Sequence, residues 1–340
     1  MIPSVLLNIW NSLPSFSHHH HHHHDTSETS SKTITTTTTQ KADSEPTSKI
    51  TSSSSSNGTD KTYHINDLLI PFPSIPVHEI LQIDREHDIQ SSIQFESLEH
   101  AVTGCFLLHN VLTRLECETL IQISEQMGYQ PSPLSILSGQ FNTSEYNQST
   151  KQVRDSERVL TDMPQEVIRV LNERIEKYLP QTIQLHSGEW TFLSKNGKQE
   201  EIIEKERNNE YSDLWLLRKG TPINERIRFN KYTPTKKFGP HFDAGYKKNK
   251  NEMTLLTIIF YLNDNFSGGE TTFFPGGKRT QMDEPNSVVK EYRIVPRAGM
   301  VSVFYQNGPL NHRHEGSPVI EGCKYIIRSD IAYVRAVPLP

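Results

Sequence analysis

The sequence predicts an α+β domain in which β-strands dominate, preceded by a low-complexity tail. Three observations carry this. Between residues 222 and 336, β-branched and aromatic runs recur at short intervals, punctuated by Gly, Pro and Asn turns. Upstream, two segments repeat apolar residues at helical spacing. The overall hydrophobic content of 34% is low for a folded domain, and the deficit sits in residues 25–62.

Those residues are nearly all Ser, Thr, Lys, Asp, Glu and Gly, and they bury too little apolar surface to offset the entropy of ordering. The 340 residues therefore divide into a disordered tail over 1–62, a linker or extension over 63–92, and one domain over 93–340 with its core at 222–336. Seven consecutive His at 18–24 lie beside Thr and Ser homopolymers and read as native low complexity that takes up divalent metals adventitiously. Residues 1–17 are apolar but lack a basic n-region, and Ser-Phe-Ser is a poor cleavage site. A cytoplasmic or nuclear location is expected, with the secretory pathway left open. No apolar run reaches the length of a membrane-spanning helix, so no membrane partner is expected. Three cysteines, Cys105, Cys117 and Cys323, are too scattered for a disulfide framework and fit a reducing compartment. A net charge of −5 gives no reason to expect nucleic acid.

Along the chain, Thr113 to Glu116 is a capping box. It opens a helix with a face of Cys117, Leu120, Ile121, Ser124 and Met127, stopped at Gly128. Pro164 opens a second helix, carried by Val167, Ile168, Leu171, Ile175 and Tyr178 and ended by Pro180. Arg226 to Tyr232 alternates like a strand and leads through a loop to Pro240-His241. Met253 to Leu262 has buried-strand character, followed by turns at Asn263-Asp264-Asn265 and Ser267-Gly268-Gly269. After a polar insertion come the short strand Met300 to Tyr305 and, last, the strand Lys324 to Val334.

Chemistry enters at His241-Phe-Asp243. Side chains i and i+2 of an extended strand share a face, so both reach one ion. A third imidazole from a distant strand completes two His and one carboxylate with open positions, the donor set of a mononuclear iron(II) site rather than a closed structural zinc site. With sixteen His in the chain the triplet alone is weak. The segment LNHRHEG offers His312 and His314, which share strand parity, so geometry does not choose between them.

The order YTPTKKFGPHFD, YLNDNFSGGETTFF, VPRAGMVSVF, HEGSPVIEGCKYIIRSDIAYV resembles that of the Fe(II)/2-oxoglutarate-dependent dioxygenases, and within them the prolyl 4-hydroxylase-like branch. FLLHNVLTRLECETLIQISEQMGY resembles that branch's entry segment, and RDSERVLTDMPQEVIRVLNERIEKYLP resembles its supporting helices. The likeness spans residues 93–340.

The resemblance implies a double-stranded β-helix, a jelly roll of two sheets braced by helices. It implies His241, Asp243 and His314 as iron ligands, because the pattern His-x-Gly-x-Pro-Val then Gly-x-Lys fits His314 and not His312. It places Lys324 as the cation for the distal carboxylate of 2-oxoglutarate, a charge that a dry cleft must pair. Arg328 shares that strand face and is the alternative, with a fork suited to a carboxylate. Tyr232 matches a tyrosine that helps hold the co-substrate. Tyr261 is a second candidate, or a core aromatic with a satisfied hydroxyl. Arg228 shares the face of Tyr232, pointing into the cavity or serving structure, while Glu315 faces away. Fe(II), 2-oxoglutarate and ascorbate are the implied cofactors, and the implied reaction hydroxylates an unactivated C–H with release of succinate and CO2. The substrate is a peptide or protein side chain such as proline, or a small molecule. The loops Gly245 to Glu252 and Gly276 to Glu291 border the mouth, as lids or as inert surface. Two alternatives remain: a catalytically silent metal-binding jelly roll that recognises a protein partner, and a cupin-type enzyme such as an isomerase. The first need not keep a co-substrate cation; the second gathers more His near its first motif.

Overall fold

The computed structural model describes residues 62–64, 68–132, 140–142, 153–186, 189–192, 214–275, 290–306 and 310–338. The expected tail and most of the Gly276 to Glu291 insertion lie outside the described residues. In chain order the strands that build the site are β1 Gln94–Ser97, β2 Phe106–His109, β3 Glu157–Asp162, β4 Arg226–Tyr232, β5 Lys237–His241 and β6 Glu252–Tyr261. They continue with β7 Thr271–Phe274, β8 Tyr292–Ile294, β9 Val301–Tyr305, β10 Arg313–Gly316 and β11 Lys324–Arg335.

The larger sheet runs β1-β2-β9-β6-β11-β4-β3, with every pairing antiparallel. The smaller runs β8-β7-β10-β5 and ends on the two-residue strand Arg154–Asp155. From β4 onward the chain crosses repeatedly between the two sheets. This is the jelly roll that the sequence predicts.

β6 shows why the strand run reads as continuously apolar. Leu256, Ile258 and Phe260 pack on the helix side with Leu120, Val167, Ile168 and Leu171. Ile259 and Tyr261 point between the sheets, toward Phe273, Phe304 and Ile326. A strand covered on both faces has no polar side to alternate with. Each such side chain contributes about 1.5–3 kcal/mol by burial. Two glycines are held by close approach. Gly299 lies at φ +80°, where a Cβ would meet the Leu112 carbonyl oxygen at 2.0 Å. Gly269 lies at φ +68° beside the Lys324 stem.

Three helices support the larger sheet: α1 Glu86–Ser92, α2 Arg114–Met127 and α3 Gln165–Ile175. The capping box of α2 is present as predicted, with both the Thr113 hydroxyl and the Glu116 carboxylate closing it. Its buried face is rotated slightly from expectation, taking in Ile123 while Ile121 stays half-buried. Glu116 does a second job. Its carboxylate accepts from Arg174 of α3 at 2.8 and 3.0 Å, and Arg174 also reaches Glu86 of α1 at 2.9 Å and the Val111 carbonyl. A fully buried guanidinium thus ties all three helices together, and each of its partners is needed to offset its desolvation.

Two expectations change. The stretch RDSERVLTD is extended, not helical: Arg154–Asp155 edges the smaller sheet, and β3 lies in the larger one between β4 and the short strand Gln130–Pro131. Only the part from Gln165 is helix. Its run Val159, Leu160, Thr161 is buried on both faces, and that burial overrides the charged flanks. The expected linker at 63–92 also contributes Ile80, Leu81 and Ile89 to the buried interior. The loop after Asp243 is a short hairpin, with Lys247 opposite Met253 and Asn249 opposite Glu252. Among the described residues, no helix is long and apolar enough to cross a membrane.

Candidate metal centre and co-substrate cavity

Strand register brings the distant imidazoles together. β5 pairs with β10 through an irregular step, after which His241 stands directly opposite His314. Such partners hold their Cβ atoms about 4.5–5.5 Å apart. Asp243 follows two residues later, on the same side. His241 Nε2 is 3.5 Å from Asp243 Oδ1, and His314 Nε2 is 3.7 Å from Oδ2. One ligand atom from each of the three lies within 4.8 Å of the others.

The backbone fixes the tautomers. His241 Nδ1 is 2.9 Å from the Gly239 carbonyl oxygen and His314 Nδ1 is 3.0 Å from that of His312. A carbonyl only accepts, so each proton sits on Nδ1 and each Nε2 lone pair faces the carboxylate. Two lone pairs and a carboxylate facing one another form a donor set that fits a cation. Burial, with His241 alongside, pushes the His314 imidazolium down to about 4, so at neutral pH His314 is in the ligand form. Phe238 stacks on His241 at 3.5 Å between ring centroids, and Phe304 meets His314 edge-on at 4.7 Å. His312 is turned away, with Nε2 2.9 Å from the Thr103 carbonyl oxygen. It serves the centre through its backbone.

Asp243 is held ionised. Burial would raise its pKa, but the Arg328 guanidinium is the leading opposing charge, and the carboxyl is held well below the usual carboxylate range. Arg328 Nη2 lies 3.1 Å from Oδ2, and the Thr257 hydroxyl donates to the same oxygen at 2.6 Å. Arg328 also reaches Asp330 at 3.4 Å. Its charge is therefore committed to two carboxylates of the protein.

Lys324 is the opposite case. It is 2% exposed and donates to the Gly269 carbonyl at 2.6 Å. Its Nζ lies 5.5 Å from the Tyr232 ring centroid and 5.8 Å from that of Tyr261. Among the described residues no carboxylate pairs with it. Burial pushes its ammonium down to about 7, against only a partial pull from Glu270.

Both cations open onto one cavity of about 280 Å³, whose wall also holds His241, Asp243, His314 and Tyr232. Tyr232 stands opposite Lys324 in register. Arg228 is in the wall and also 3.5 Å from Asp330, so it has both the roles weighed for it. Tyr261 has the geometry of the second of its two readings. Its hydroxyl is shared with Thr271 at 2.8 Å and Ser302 at 3.2 Å, and it is a buried core aromatic behind the wall. Burial pushes its phenol up to about 12. Sequence reasoning missed Asp330 and Thr257, which hold Arg328 and Asp243. Strand parity was the available signal for Asp330, two residues beyond Arg328.

A jelly roll carrying an open His-Asp-His donor set beside a buried cation defines a mononuclear-metal oxygenase class. Residues 227–329 match the model of the 2OG-Fe(II) oxygenase superfamily. A curated relative, probable prolyl 4-hydroxylase 8 of Arabidopsis thaliana, is 25% identical over 235 residues. That alignment covers 65% of this chain and 65% of the relative, so the chain spans just under two thirds of that protein's length. Among solved structures, the viral collagen prolyl hydroxylase of Paramecium bursaria Chlorella virus-1 is 18% identical with a TM-score of 0.37, over 70% of this chain and 99% of that one. A Trichoplax adhaerens prolyl hydroxylase in complex with a hypoxia inducible factor peptide fragment is 15% identical with a TM-score of 0.40, over 75% and 92%. Over residues 227–329 the chain is similar to the 2OG-Fe(II) oxygenase superfamily, and its curated relative is a probable prolyl 4-hydroxylase.

Proposed function

We propose that this chain is an Fe(II)- and 2-oxoglutarate-dependent dioxygenase that hydroxylates a prolyl residue in a peptide, with release of succinate and CO2. One observation carries the reading: the His241, Asp243, His314 donor set shares a cavity with Lys324, a buried ammonium that no carboxylate of the described residues neutralises. A catalytically silent metal module has no use for that cation. The relation to a probable prolyl 4-hydroxylase supports a prolyl side chain as target.

In this reading His241 and His314 hold Fe(II) through Nε2, and Asp243 does so through its carboxylate. Arg328 and Thr257 orient that carboxylate and keep it ionised. Lys324 pairs the distal carboxylate of 2-oxoglutarate, with Tyr232 beside it. Bound iron and co-substrate would supply the oxidising power for an unactivated C–H, with ascorbate as the expected accessory reductant. The walls position the reactants and exclude water.

The test is anaerobic titration of Fe(II) and 2-oxoglutarate into the purified chain, followed by an aerobic assay for succinate with prolyl peptides. A visible charge-transfer band and a peptide product one oxygen heavier are expected. Neither band nor succinate at saturating iron refutes the reading.

A further inference from the structure

Lys324 is the first residue of β11, and the end of a strand frays unless something beyond the sheet holds it. An ammonium there is placed only as well as the backbone beneath it. On one side Lys324 stands in register with Tyr232 of β4. On the other side the ladder between β6 and β11 ends at the pair Tyr261 and Ile326. One more bond follows, from the Leu262 N–H to the Tyr325 carbonyl at 3.0 Å. The main chain then leaves the sheet, and the side chain of Asn263 takes its place. Asn263 Nδ2 donates to the Cys323 carbonyl at 2.6 Å, and Oδ1 accepts from the Tyr325 N–H at 2.8 Å. A single carboxamide, donor and acceptor at once, thus bonds the residues on both sides of Lys324.

Asn263 also opens the loop that holds the tip of the same side chain. Its Nδ2 donates to Asn265 Oδ1 at 2.7 Å, and the loop closes at Gly269, whose carbonyl accepts from Lys324 Nζ at 2.6 Å. Gly269 is itself fixed, with its N–H bonded to the Pro318 carbonyl at 3.0 Å. Lys324 is therefore held at its backbone and at its ammonium by the two ends of one short loop. The neighbouring Asp264 is turned elsewhere: it accepts from Arg114 of α2 at 3.0 and 3.1 Å and from the Ala298 N–H at 3.2 Å.

We propose that Asn263 is a positioning residue for the co-substrate. By fixing the backbone of Lys324 it sets the span between the ammonium and the His241, Asp243, His314 centre, and so selects a five-carbon 2-oxo dicarboxylate over shorter and longer ones. This deepens the reading above and rests on it for the co-substrate. A dicarboxylate held at one end by the metal must reach the ammonium with the other. One carbon too few leaves both charges desolvated and apart, and one too many forces the chain to buckle.

The test is calorimetric titration of 2-oxoglutarate, oxaloacetate and 2-oxoadipate onto the full chain at saturating Mn(II) without oxygen. The unmodified chain is expected to bind 2-oxoglutarate about tenfold tighter than either of the others, or roughly 1.4 kcal/mol. Asn263→Ala removes both bonds; Asn263→Asp keeps the acceptor for Tyr325 but sets a carboxylate oxygen against the Cys323 carbonyl. Each should weaken 2-oxoglutarate binding about tenfold and bring the selectivity below about threefold, while Mn(II) affinity without co-substrate changes less than about twofold. Asp264→Ala breaks the adjacent contacts to α2, and should lower the melting temperature with the selectivity intact. A role confined to stability moves the melting temperature and not the ratio. Selectivity kept in a folded Asn263 variant, its loss in Asp264→Ala, its absence from the unmodified chain, or failure of both Asn263 variants to fold overturns the proposal. No binding of any 2-oxo acid by the unmodified chain defeats the dioxygenase reading and this inference with it. Tight 2-oxoglutarate binding with a selectivity indifferent to Asn263 defeats this inference alone.

Discussion

Replacing Lys324 by Met should have two effects of opposite sign, and the pair is diagnostic. The ammonium is buried, bonded to one carbonyl and unmatched by acid among the described residues. Without co-substrate it is a liability: burial drags its pKa from 10.5 to about 7. Lys324→Met should therefore raise the melting temperature of the protein without 2-oxoglutarate by a few degrees, since a well-packed apolar side chain replaces an uncompensated charge. With co-substrate the sign inverts. A distal carboxylate left without its partner costs about 3–5 kcal/mol, which is roughly two to four decades in the dissociation constant. The assay is calorimetric titration of 2-oxoglutarate at saturating Mn(II) without oxygen, paired with melting curves with and without 2-oxoglutarate. Arg328→Ala is the control. It removes the guanidinium 3.1 Å from Asp243, so metal affinity should fall by about tenfold or more. At saturating metal the 2-oxoglutarate constant should move less than about threefold. A large loss of 2-oxoglutarate affinity confined to Arg328→Ala, with Lys324→Met near wild type, refutes the assignment.

Three further outcomes are expected. His241→Ala, Asp243→Ala and His314→Ala should each abolish stoichiometric metal uptake, read by elemental analysis after dialysis in protein lacking residues 1–60, while His312→Ala retains most of it because its ring bonds Thr103. The affinity for 2-oxoglutarate should be flat below pH 7 and weaken roughly tenfold per unit above it, since Lys324 must be cationic to bind and is so in the free fold only below about 7. By the same linkage the unfolded chain holds the extra proton between about pH 7 and 10.5, so the ligand-free fold should gain stability as pH rises through that window; affinity that stays constant to pH 9 is incompatible with this account. Arg174→Ala strands the fully buried Glu116 and should cost about 3–5 kcal/mol in denaturant unfolding, with 2-oxoglutarate affinity unchanged.

The sheet architecture was legible because period-two logic survives in the strands that matter. Arg228 and Tyr232 share a face in the sequence and both line the cavity. Lys324 and Arg328 do likewise. What parity does not carry is the partner across the gap. His312 and His314 are equivalent until β10 is set against β5, and it is that register, not local spacing, which puts His314 opposite His241. Lys324 and Arg328 are equally cationic until Asp330 and Asp243 are seen to claim the arginine. Phase leaves Tyr261 open between two readings, and the partners of its hydroxyl, Thr271 and Ser302, lie ten and more positions away in sequence.

The misread segment is the instructive one. RDSERVLTD is rich in charge and adjoins a true helix, and the resemblance grouped it with the supporting helices. Its strand state is imposed from outside, by the open edge of β4 on one side and of β5 on the other. A strand gains its cross-strand partners only when the rest of the sheet exists, so nothing local announces it. The same placement explains the charge. Arginines inside a helix on the sheet's back would face solvent, whereas on this edge they enter the cavity wall beside Phe238 and Asn230. Closing the two sheets and charging the cavity are thus one structural event. The residues that seal this side of the jelly roll also line its cavity.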